Sequence, residues 1–195
     1  AWMMGLEQRL AADLPIGRCA SVASFFLSRI DTLVDRQLDS IGHTLPGHKT
    51  ERLRGQAAIA SARLAYQAWR QAMRAPRWRA LAAQGAMPQR LLWASTGTKD
   101  PAYSDVKYVE ALIGPDTVNT LPPQTLTAYR QHGQPALRLE TGLDQAQAMP
   151  TALTELGIDL EGAAAQLEEE GVQKFIDAYD GLLATLGQWR GRNRE

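Results

Sequence analysis

Residues 20–29 read ASVASFFLSR. Residues 20–26 form a continuous run of apolar and small side chains, a pattern typical of a buried parallel strand covered on both faces. Hydroxyl side chains and a single cation, Arg29, follow the run. Residues 93–99, WASTGTK, repeat the arrangement after a second short apolar run at 90–94. The two stretches together predict parallel strands that deliver polar side chains to a phosphosugar pocket.

Strands alternate with helices through the first two thirds of the chain. Hydrophobic spacing and breaker residues predict strands at 20–26, 90–94 and 117–120, helices at 2–13, 30–38, 56–73, 104–113 and 125–132, and a loop at 42–55. This order indicates a parallel sheet with helices packed outside it. Three further helices are expected at 143–156, 158–167 and 172–186, and the apolar stripe of the last is expected to pack in the core.

Composition limits the class of protein. The chain has 195 residues, 45% of them hydrophobic and 22% charged, so one globular domain over 1–195 is expected. Twenty-one basic and 21 acidic residues give zero net charge, which argues against nucleic acid or an anionic membrane as partner. Its single cysteine, Cys19, is expected to be a buried inert thiol in a reducing cytoplasm. No apolar stretch reaches the roughly 18 residues of a membrane span.

The first residues resemble the later part of a helix without its beginning. Trp2, Met3, Leu6 and Leu10 share one face, and no capping residue precedes them. We therefore expect an N-terminal portion that is absent from this chain.

Five residues are the candidates for binding a phosphosugar. In a parallel αβ barrel the active site lies at the C-terminal ends of the strands. Ser24, Phe26 and Arg29 fall there for the first predicted strand, and Ser95 and Lys99 for the second. Hydroxyl groups can donate to phosphate oxygens, and a guanidinium can grip two of them at once. The residues alone leave a solvated loop with an exposed salt bridge as the competing interpretation.

Four strings resemble the second half of bacterial transaldolases of the longer-chain subgroup: residues 20–32, 92–105, 112–122 and 169–175. The resemblance implies the C-terminal part of a TIM (β/α)8 barrel. Residues 1–140 would supply roughly strands six to eight, and residues 141–195 the terminal helices. The implied reaction belongs to the pentose phosphate pathway and needs no cofactor or metal. It transfers a dihydroxyacetone unit from sedoheptulose 7-phosphate to glyceraldehyde 3-phosphate through a lysine Schiff base.

The resemblance also implies roles for the five candidates. Ser24 and Phe26 match sixth-strand residues that line the sugar pocket, and Arg29 matches the arginine that holds the substrate phosphate. Ser95 matches the seventh-strand serine of the same pocket. The better-known subgroup has a second phosphate-binding arginine two residues after that serine. Gly97 stands at this offset, and Lys99 is the nearest cation.

The family's Schiff-base lysine lies on the fourth strand, and none of the four lysines of this chain matches it. Lys49 falls in a polar loop, Lys107 in a helix turn and Lys174 on a C-terminal helix, and each is expected to be a solvated cation. The catalytic lysine is therefore expected outside this chain, and the chain alone is predicted to be inactive.

Two other function classes stay open beside a transaldolase half. One is a noncatalytic phosphosugar-binding or structural half-barrel that self-associates, because a half-barrel exposes strand edges and an apolar face. Its partner would be a second copy or the missing N-terminal half. The other is a fusion with a sugar-phosphate isomerase, which would need sequence beyond Glu195.

Several further residues are interpreted as structural. His43, His48 and His132 lack a third ligand at metal spacing. Glu168–Glu170 are placed near the start of the last helix, where they would favour its dipole. The five tryptophans are assigned to core or interface packing, and the arginines at 190, 192 and 194 to a solvated tail.

Overall fold

Three short parallel strands form the sheet in the computed structural model, which describes residues 1–42 and 48–192. They are β1 (Val22–Phe26), β2 (Arg90–Ala94) and β3 (Thr117–Asn119), in the spatial order β1-β2-β3. Both pairs are parallel, with Ser24 beside Leu92 and Leu92 beside Val118. All three predicted strands are confirmed, and the parallel pairing agrees with a partial TIM barrel.

Eight helices precede residue 158 in the described part of the chain. They are α1 (Trp2–Ala11), α2 (Leu27–Gly42), α3 (His48–Leu53), α4 (Ala57–Arg74), α5 (Pro76–Ala83), α6 (Lys107–Ala111), α7 (Pro123–His132) and α8 (Leu143–Glu155). With the sheet they belong to one compact unit, Ala1–Ile158. The predicted loop at 42–55 is wrong over α3, and residues 43–47 lie outside the described residues. The sequence interpretation also missed α5, whose first position is Pro76.

The main core lies between one face of the sheet and the helices. Leu91 and Trp93 of β2 are buried there against Ala58 and Tyr66 of α4 and Leu27 of α2. β1 contributes Ala23 and Phe25 to the same cluster. Burial of these apolar side chains fixes the helix-facing side of both strands.

The other face of β1 is exposed. Val22 and Phe26 are 43% and 44% exposed, and Ser24 between them is exposed as well. The expectation that this strand is covered on both faces is therefore wrong for the described part of the chain, because its helices pack on one face of β1. The exposed face corresponds to the inside of a barrel.

A smaller cluster joins α1 to α5. Leu6, Ile16, Trp78 and Leu81 are buried in it, and Cys19 packs against them half-buried. The thiol is thus less buried than the sequence interpretation expected. Trp78 confirms a core role for one of the tryptophans.

The second compact unit, Asp159–Glu195, contains the long helix α9 (Leu160–Arg192). The prediction of two helices here is wrong, because the backbone stays helical through Gly171. Glu168–Glu170 consequently lie in the third turn and not at the helix start, so the dipole argument for them fails. The apolar residues from Val172 to Trp189 are exposed, contrary to the expected core packing. Within the described residues, no helix is both long and apolar enough to cross a membrane.

Candidate functional site

The C-terminal ends of β1 and β2 meet at one edge of the sheet. Phe26 pairs with Ala94 as the last residue of each strand, and the Ser28 backbone N–H donates to the Ser95 carbonyl at 3.1 Å. The Arg29 guanidinium carbon lies 5.0 Å from the centroid of the Phe26 ring, a cation–π contact. The structure thus brings Phe26, Arg29 and Ser95 together at this edge.

Ser24 lies on the same exposed face of β1 as Phe26, two residues earlier, since side chains alternate along a strand. Its register partner is Leu92 of β2. This face of β1 therefore carries the Ser24 hydroxyl and the Phe26 ring. A sugar can contact such a surface through hydrogen bonds and stacking.

The backbone at Ser95 adopts a left-handed conformation, with φ of +53°. A non-glycine residue in this region costs about 1–2 kcal/mol, so its surroundings must hold it. The next residue, Thr96, is fully buried and its hydroxyl donates to the Thr120 carbonyl at 3.0 Å. Backbone strain of this kind clusters at functional sites, and here it sets the position of the Ser95 hydroxyl.

The first turn of α2 adds a further hydroxyl group at the C-terminal end of β1. Ser28 is 1% exposed, and its hydroxyl oxygen has no hydrogen-bond partner among the described residues. α2 follows β1 without a loop, so the positive end of its dipole lies at the same edge as Arg29. A helix start beside a guanidinium favours an anion there.

Lys99 lies in a neighbouring cleft of about 230 Å³. Other lining residues come from α2, from the turn between α3 and α4, and from the chain after β2, and they include Thr32, Asp35, Arg54 and Asp100. Phe26, Arg29 and Ser95 are absent from that lining. The structure therefore gathers four of the five sequence candidates on the β1 face and edge, and places the exposed Lys99 in a separate cleft.

Two carboxylates on α2 organise the interior of this cleft. Asp31, 1% exposed, accepts hydrogen bonds from the Ala58 N–H and the Tyr108 hydroxyl, both at 2.8 Å. Asp35 accepts from the Gly55 N–H at 2.8 Å and the Tyr103 hydroxyl at 2.6 Å. These bonds tie α2 to the start of α4 and to the segment that follows Lys99.

Burial raises the pKa of three acidic groups that line the cleft. Burial raises the pKa of the Asp35 carboxyl, while the hydrogen bonds from Tyr103 and Gly55 partly oppose the rise. Burial also raises the pKa of both Tyr103 and Tyr108. The two phenols therefore stay protonated and act as donors to the carboxylates.

Lys107 is not the solvated cation that its sequence position suggested. Its side chain is 13% exposed and its ammonium lies 3.3 Å from the Asp31 carboxylate. The same nitrogen sits 3.6 Å from the centroid of the Tyr103 ring. The ion pair with Asp31 and the cation–π contact with Tyr103 hold the Lys107 ammonium in place.

Arg54 connects the cleft to the Lys99 segment. Its guanidinium forms ion pairs with Asp39 of α2 and with Asp100, the latter at 2.8 Å. Asp100 in turn accepts from the Ala102 N–H at 2.9 Å. Because Asp100 directly follows Lys99, Arg54 fixes the chain next to that lysine.

The sequence of α2 contains a signal for this cluster. Ser28, Asp31, Val34, Asp35 and Leu38 recur at three- and four-residue steps and are all buried. Carboxylates on an otherwise apolar helix face require donors, because an unpaired buried charge is costly. That pattern predicts partners such as Lys107 and the two tyrosines.

The histidines show no metal-binding arrangement in the described residues, where no three His, Cys, Asp or Glu side chains are grouped to hold an ion. His132 contacts the exposed Asp105 carboxylate at 3.2 Å. His43 lies outside the described residues, and the side chain of His48 is not described.

Comparison with known proteins identifies the family. Residues 4–186 match the family described as Transaldolase/Fructose-6-phosphate aldolase. The chain is 49% identical over 187 residues to the transaldolase of Thiobacillus denitrificans, which covers 96% of this chain and 51% of the relative. It is 50% identical over 192 residues to the transaldolase of a Parafrankia species, covering 98% of this chain and 51% of that protein.

A third relative, the transaldolase of Neisseria meningitidis, is 47% identical over 186 residues, covering 95% of this chain and 50% of that protein. The chain spans about half the length of the curated relatives it matches. A match over nearly the whole chain at this identity is decisive for family, and this chain belongs to the transaldolase/fructose-6-phosphate aldolase family.

Proposed function

We propose that this chain is the sugar-phosphate-binding half of a transaldolase. The observation that carries the proposal is the Ser28 N–H to Ser95 carbonyl hydrogen bond, which joins the two strand ends that hold Arg29, Phe26 and Ser95. One exposed guanidinium, one strained serine and the start of a helix surround this junction. Together they suit the phosphate end of a sugar phosphate.

Each residue has a distinct task in the proposed site. Arg29 binds phosphate oxygens, with its guanidinium oriented by the Phe26 ring. Ser24 and Ser95 donate hydrogen bonds to sugar hydroxyls or phosphate, and Phe26 packs on the carbon chain. Lys99 supplies a second positive charge from the adjacent cleft, beside the segment that Arg54 and Asp100 hold.

The proposed reaction of the whole enzyme moves a dihydroxyacetone unit from sedoheptulose 7-phosphate to glyceraldehyde 3-phosphate in the cytoplasmic pentose phosphate pathway. It needs a neutral lysine to attack the ketose carbonyl and form a Schiff base. In this chain the ammonium of Lys107 forms an ion pair with Asp31, and that of Lys174 forms one with Glu170. The nucleophile therefore comes from a segment outside this chain, and the chain alone is inactive.

Residues 1–195 form, in this proposal, a single domain of the complete enzyme. Residues 1–140 supply the last βα units of its barrel and residues 141–195 its terminal helices. The protein then needs no cofactor or metal, and its partners are sugar phosphates and a complementary barrel half.

Binding of fructose 6-phosphate to the full chain tests the site. Titration calorimetry on the wild type, on Arg29→Gln and on Arg79→Gln compares the proposed phosphate contact with another exposed arginine, on α5. Loss of a charge-assisted hydrogen bond predicts at least about tenfold weaker binding for Arg29→Gln. Equal affinities for the two variants would remove Arg29 from the site.

A second candidate function is a noncatalytic half-barrel that self-associates. The exposed face of β1, with Val22 and Phe26 more than 40% accessible, favours it, as does the position of β1 at the end of the sheet order. Such a chain would bind fructose 6-phosphate but would gain no activity from a complementary half. That last difference separates the two candidates.

A further inference from the structure

Arg54 holds two carboxylates of the Lys99 cleft at once. One terminal nitrogen of its guanidinium, Nη1, forms an ion pair with Asp39 of α2, and the other, Nη2, forms one with Asp100 at 2.8 Å. The Arg54 side chain is 29% exposed, so both pairs are partly shielded from water. A guanidinium suits this arrangement because its planar fork presents several donors at fixed angles, whereas an ammonium is a compact point charge.

Asp100 uses both of its carboxylate oxygens in these contacts. Oδ2 accepts from Arg54, and Oδ1 accepts from the Ala102 N–H at 2.9 Å. The Asp100 carbonyl also accepts from the Tyr103 N–H at 3.1 Å, which closes a turn directly after Lys99. The carboxylate next to Lys99 in the chain is therefore fully occupied by other donors.

Lys99 is exposed, and the ion pairs found among the described residues do not include it. Its cleft nevertheless contains four acidic side chains: Asp31, Asp35, Asp39 and Asp100. Lys107 contacts Asp31, and the Tyr103 hydroxyl donates to Asp35. Arg54 pairs with the other two. The charge of Lys99 thus stays available to an anion from outside, because the acids near it already have donors.

Removal of the Arg54 guanidinium would release both of its carboxylates. Asp39 has Arg36 three residues earlier on α2, a spacing at which opposite charges on a helix attract each other. Asp100 has Lys99 as its immediate neighbour, whose flexible stem allows the ammonium to turn towards it. Lys99 would then be neutralised within the protein, and a phosphate group would have to displace the Asp100 carboxylate to bind it.

We propose that Arg54 is a positioning residue for phosphate binding, which acts by keeping the Asp100 carboxylate away from Lys99. Arg54 does not touch the sugar phosphate in this role. The inference rests on the proposed function, because it needs Lys99 as the second positive charge of the site. It goes further by making the affinity for phosphate depend on a residue outside both strand ends, in the turn between α3 and α4.

Calorimetric titration of the full chain with fructose 6-phosphate tests this role. Lys99→Gln and Arg54→Gln are each expected to weaken binding about fivefold, because both remove the same exposed charge interaction. Arg70→Gln is the matched control, since the Arg70 side chain is 30% exposed and forms an ion pair with Glu140 at 2.5 Å. This control is expected to leave the affinity unchanged, because neither residue lines the Lys99 cleft.

A second substitution separates positioning from a structural role. In Arg54→Gln/Asp100→Asn the carboxylate that would capture Lys99 is absent, so the affinity is expected to return to within about twofold of the wild type. The asparagine amide oxygen can still accept from the Ala102 N–H and so preserves the turn. A structural role for Arg54 predicts no such recovery, because the double variant removes both partners of the ion pair.

The outcomes distinguish this inference from the proposed function. A wild type that does not bind fructose 6-phosphate would overturn both. Binding that is unaffected by Lys99→Gln would overturn the inference and leave the Arg29 contact standing. Unchanged affinity in Arg54→Gln, with a weakened Lys99→Gln, would overturn the inference alone. A double variant that binds no better than Arg54→Gln would also overturn it.

Discussion

Asp31 is a buried carboxylate whose environment satisfies it with three donors. The Ala58 N–H, the Tyr108 hydroxyl and the Lys107 ammonium all contact it, from two different helices. Removing one donor from such a group leaves a buried charge with incomplete compensation. Asp31 therefore makes α2, α4 and α6 depend on each other.

Lys107→Met is expected to lower the free energy of unfolding by about 2 kcal/mol, because it leaves the Asp31 carboxylate without its ion-pair partner. Lys174→Met is the matched control, since Lys174 pairs with Glu170 on the surface of α9 at 3.5 Å. An exposed i,i+4 pair is worth about 0.5 kcal/mol or less. Urea denaturation followed by circular dichroism measures both changes. Equal effects would show that the buried pair carries no special weight.

The stability of the chain is expected to depend on pH in opposite directions through Asp35 and Glu7. Burial raises the folded-state pKa of Asp35, so its contribution is fully present below the unfolded pKa of about 3.9 and is lost as pH rises through the folded pKa. A hydrogen bond from Arg77 lowers the pKa of Glu7, so that contribution is present above the unfolded pKa and is lost as pH falls through the folded one.

Unfolding titrations between about pH 3 and pH 7 on the wild type, Asp35→Asn and Glu7→Gln measure this dependence, across the range in which carboxyl groups titrate. The stability of the wild type minus that of Asp35→Asn is expected to fall as pH rises. The same difference for Glu7→Gln is expected to rise. A rising difference for Asp35→Asn would contradict the effect of burial.

At the level of elements, two buried hydroxyl groups near the ends of β1 and β2 differ in their hydrogen bonding. Thr96, directly after β2, donates its hydroxyl to the Thr120 carbonyl and so links the ends of β2 and β3. Ser28, at the start of α2, has a buried hydroxyl oxygen with no partner in the described chain. One hydroxyl thus stabilises the sheet edge and the other is free to meet a ligand or water there.

Thr96→Val is expected to destabilise the chain by about 1 kcal/mol, because it leaves the Thr120 carbonyl without its donor. Ser28→Ala is expected to change the stability by less than about 0.5 kcal/mol or to increase it, since burying an unpaired hydroxyl is unfavourable. Thermal unfolding of both variants, with and without fructose 6-phosphate, provides the comparison. A loss of about 1 kcal/mol for Ser28→Ala in the absence of ligand would show that its hydroxyl is already satisfied.

Local sequence patterns were sufficient to predict a strand such as β2, whose apolar side chains are largely buried. β2 was predicted with its observed bounds, because an apolar run between Pro88 and Gly97 has one compatible structure. α5 was missed because Pro76 was not recognised as the first position of a helix. The sequence pattern predicts a break between residues 167 and 172, whereas α9 continues through Gly171. One glycine in a long helix costs only about 1 kcal/mol, which the helix tolerates.

Part of the candidate site was predictable because some of its residues directly follow predicted strands. Residues that follow a strand, such as Arg29 and Ser95, reach the edge through local geometry alone. The Asp31–Lys107 pair joins residues 76 positions apart, and only the packing of α2 against α6 reveals it. The left-handed backbone of Ser95 could not be predicted from the sequence either, because it depends on the tertiary hydrogen bonds of Thr96 and Thr120.

For the whole molecule, the exposed face of β1 and the half-length match to relatives have a common explanation. In the proposed enzyme, further strands would pair with the free edge of β1, and the face that exposes Val22, Ser24 and Phe26 would line the barrel interior. The curated relatives are about twice as long as this chain. The proposed phosphate-binding residues would then face that interior.

Mixing this chain with the N-terminal half of a related transaldolase is expected to restore transfer of the dihydroxyacetone unit, measured by coupled release of erythrose 4-phosphate. Borohydride reduction in the presence of fructose 6-phosphate should trap a covalent adduct on the added half alone, because the proposed Schiff-base lysine belongs to that half. Arg29→Gln should lower the restored activity at least about tenfold through the lost phosphate contact, and Arg79→Gln should leave it unchanged. An adduct on any of the four lysines of this chain would place the nucleophile within it, and an inactive mixture that still binds the sugar phosphate would favour the noncatalytic half-barrel.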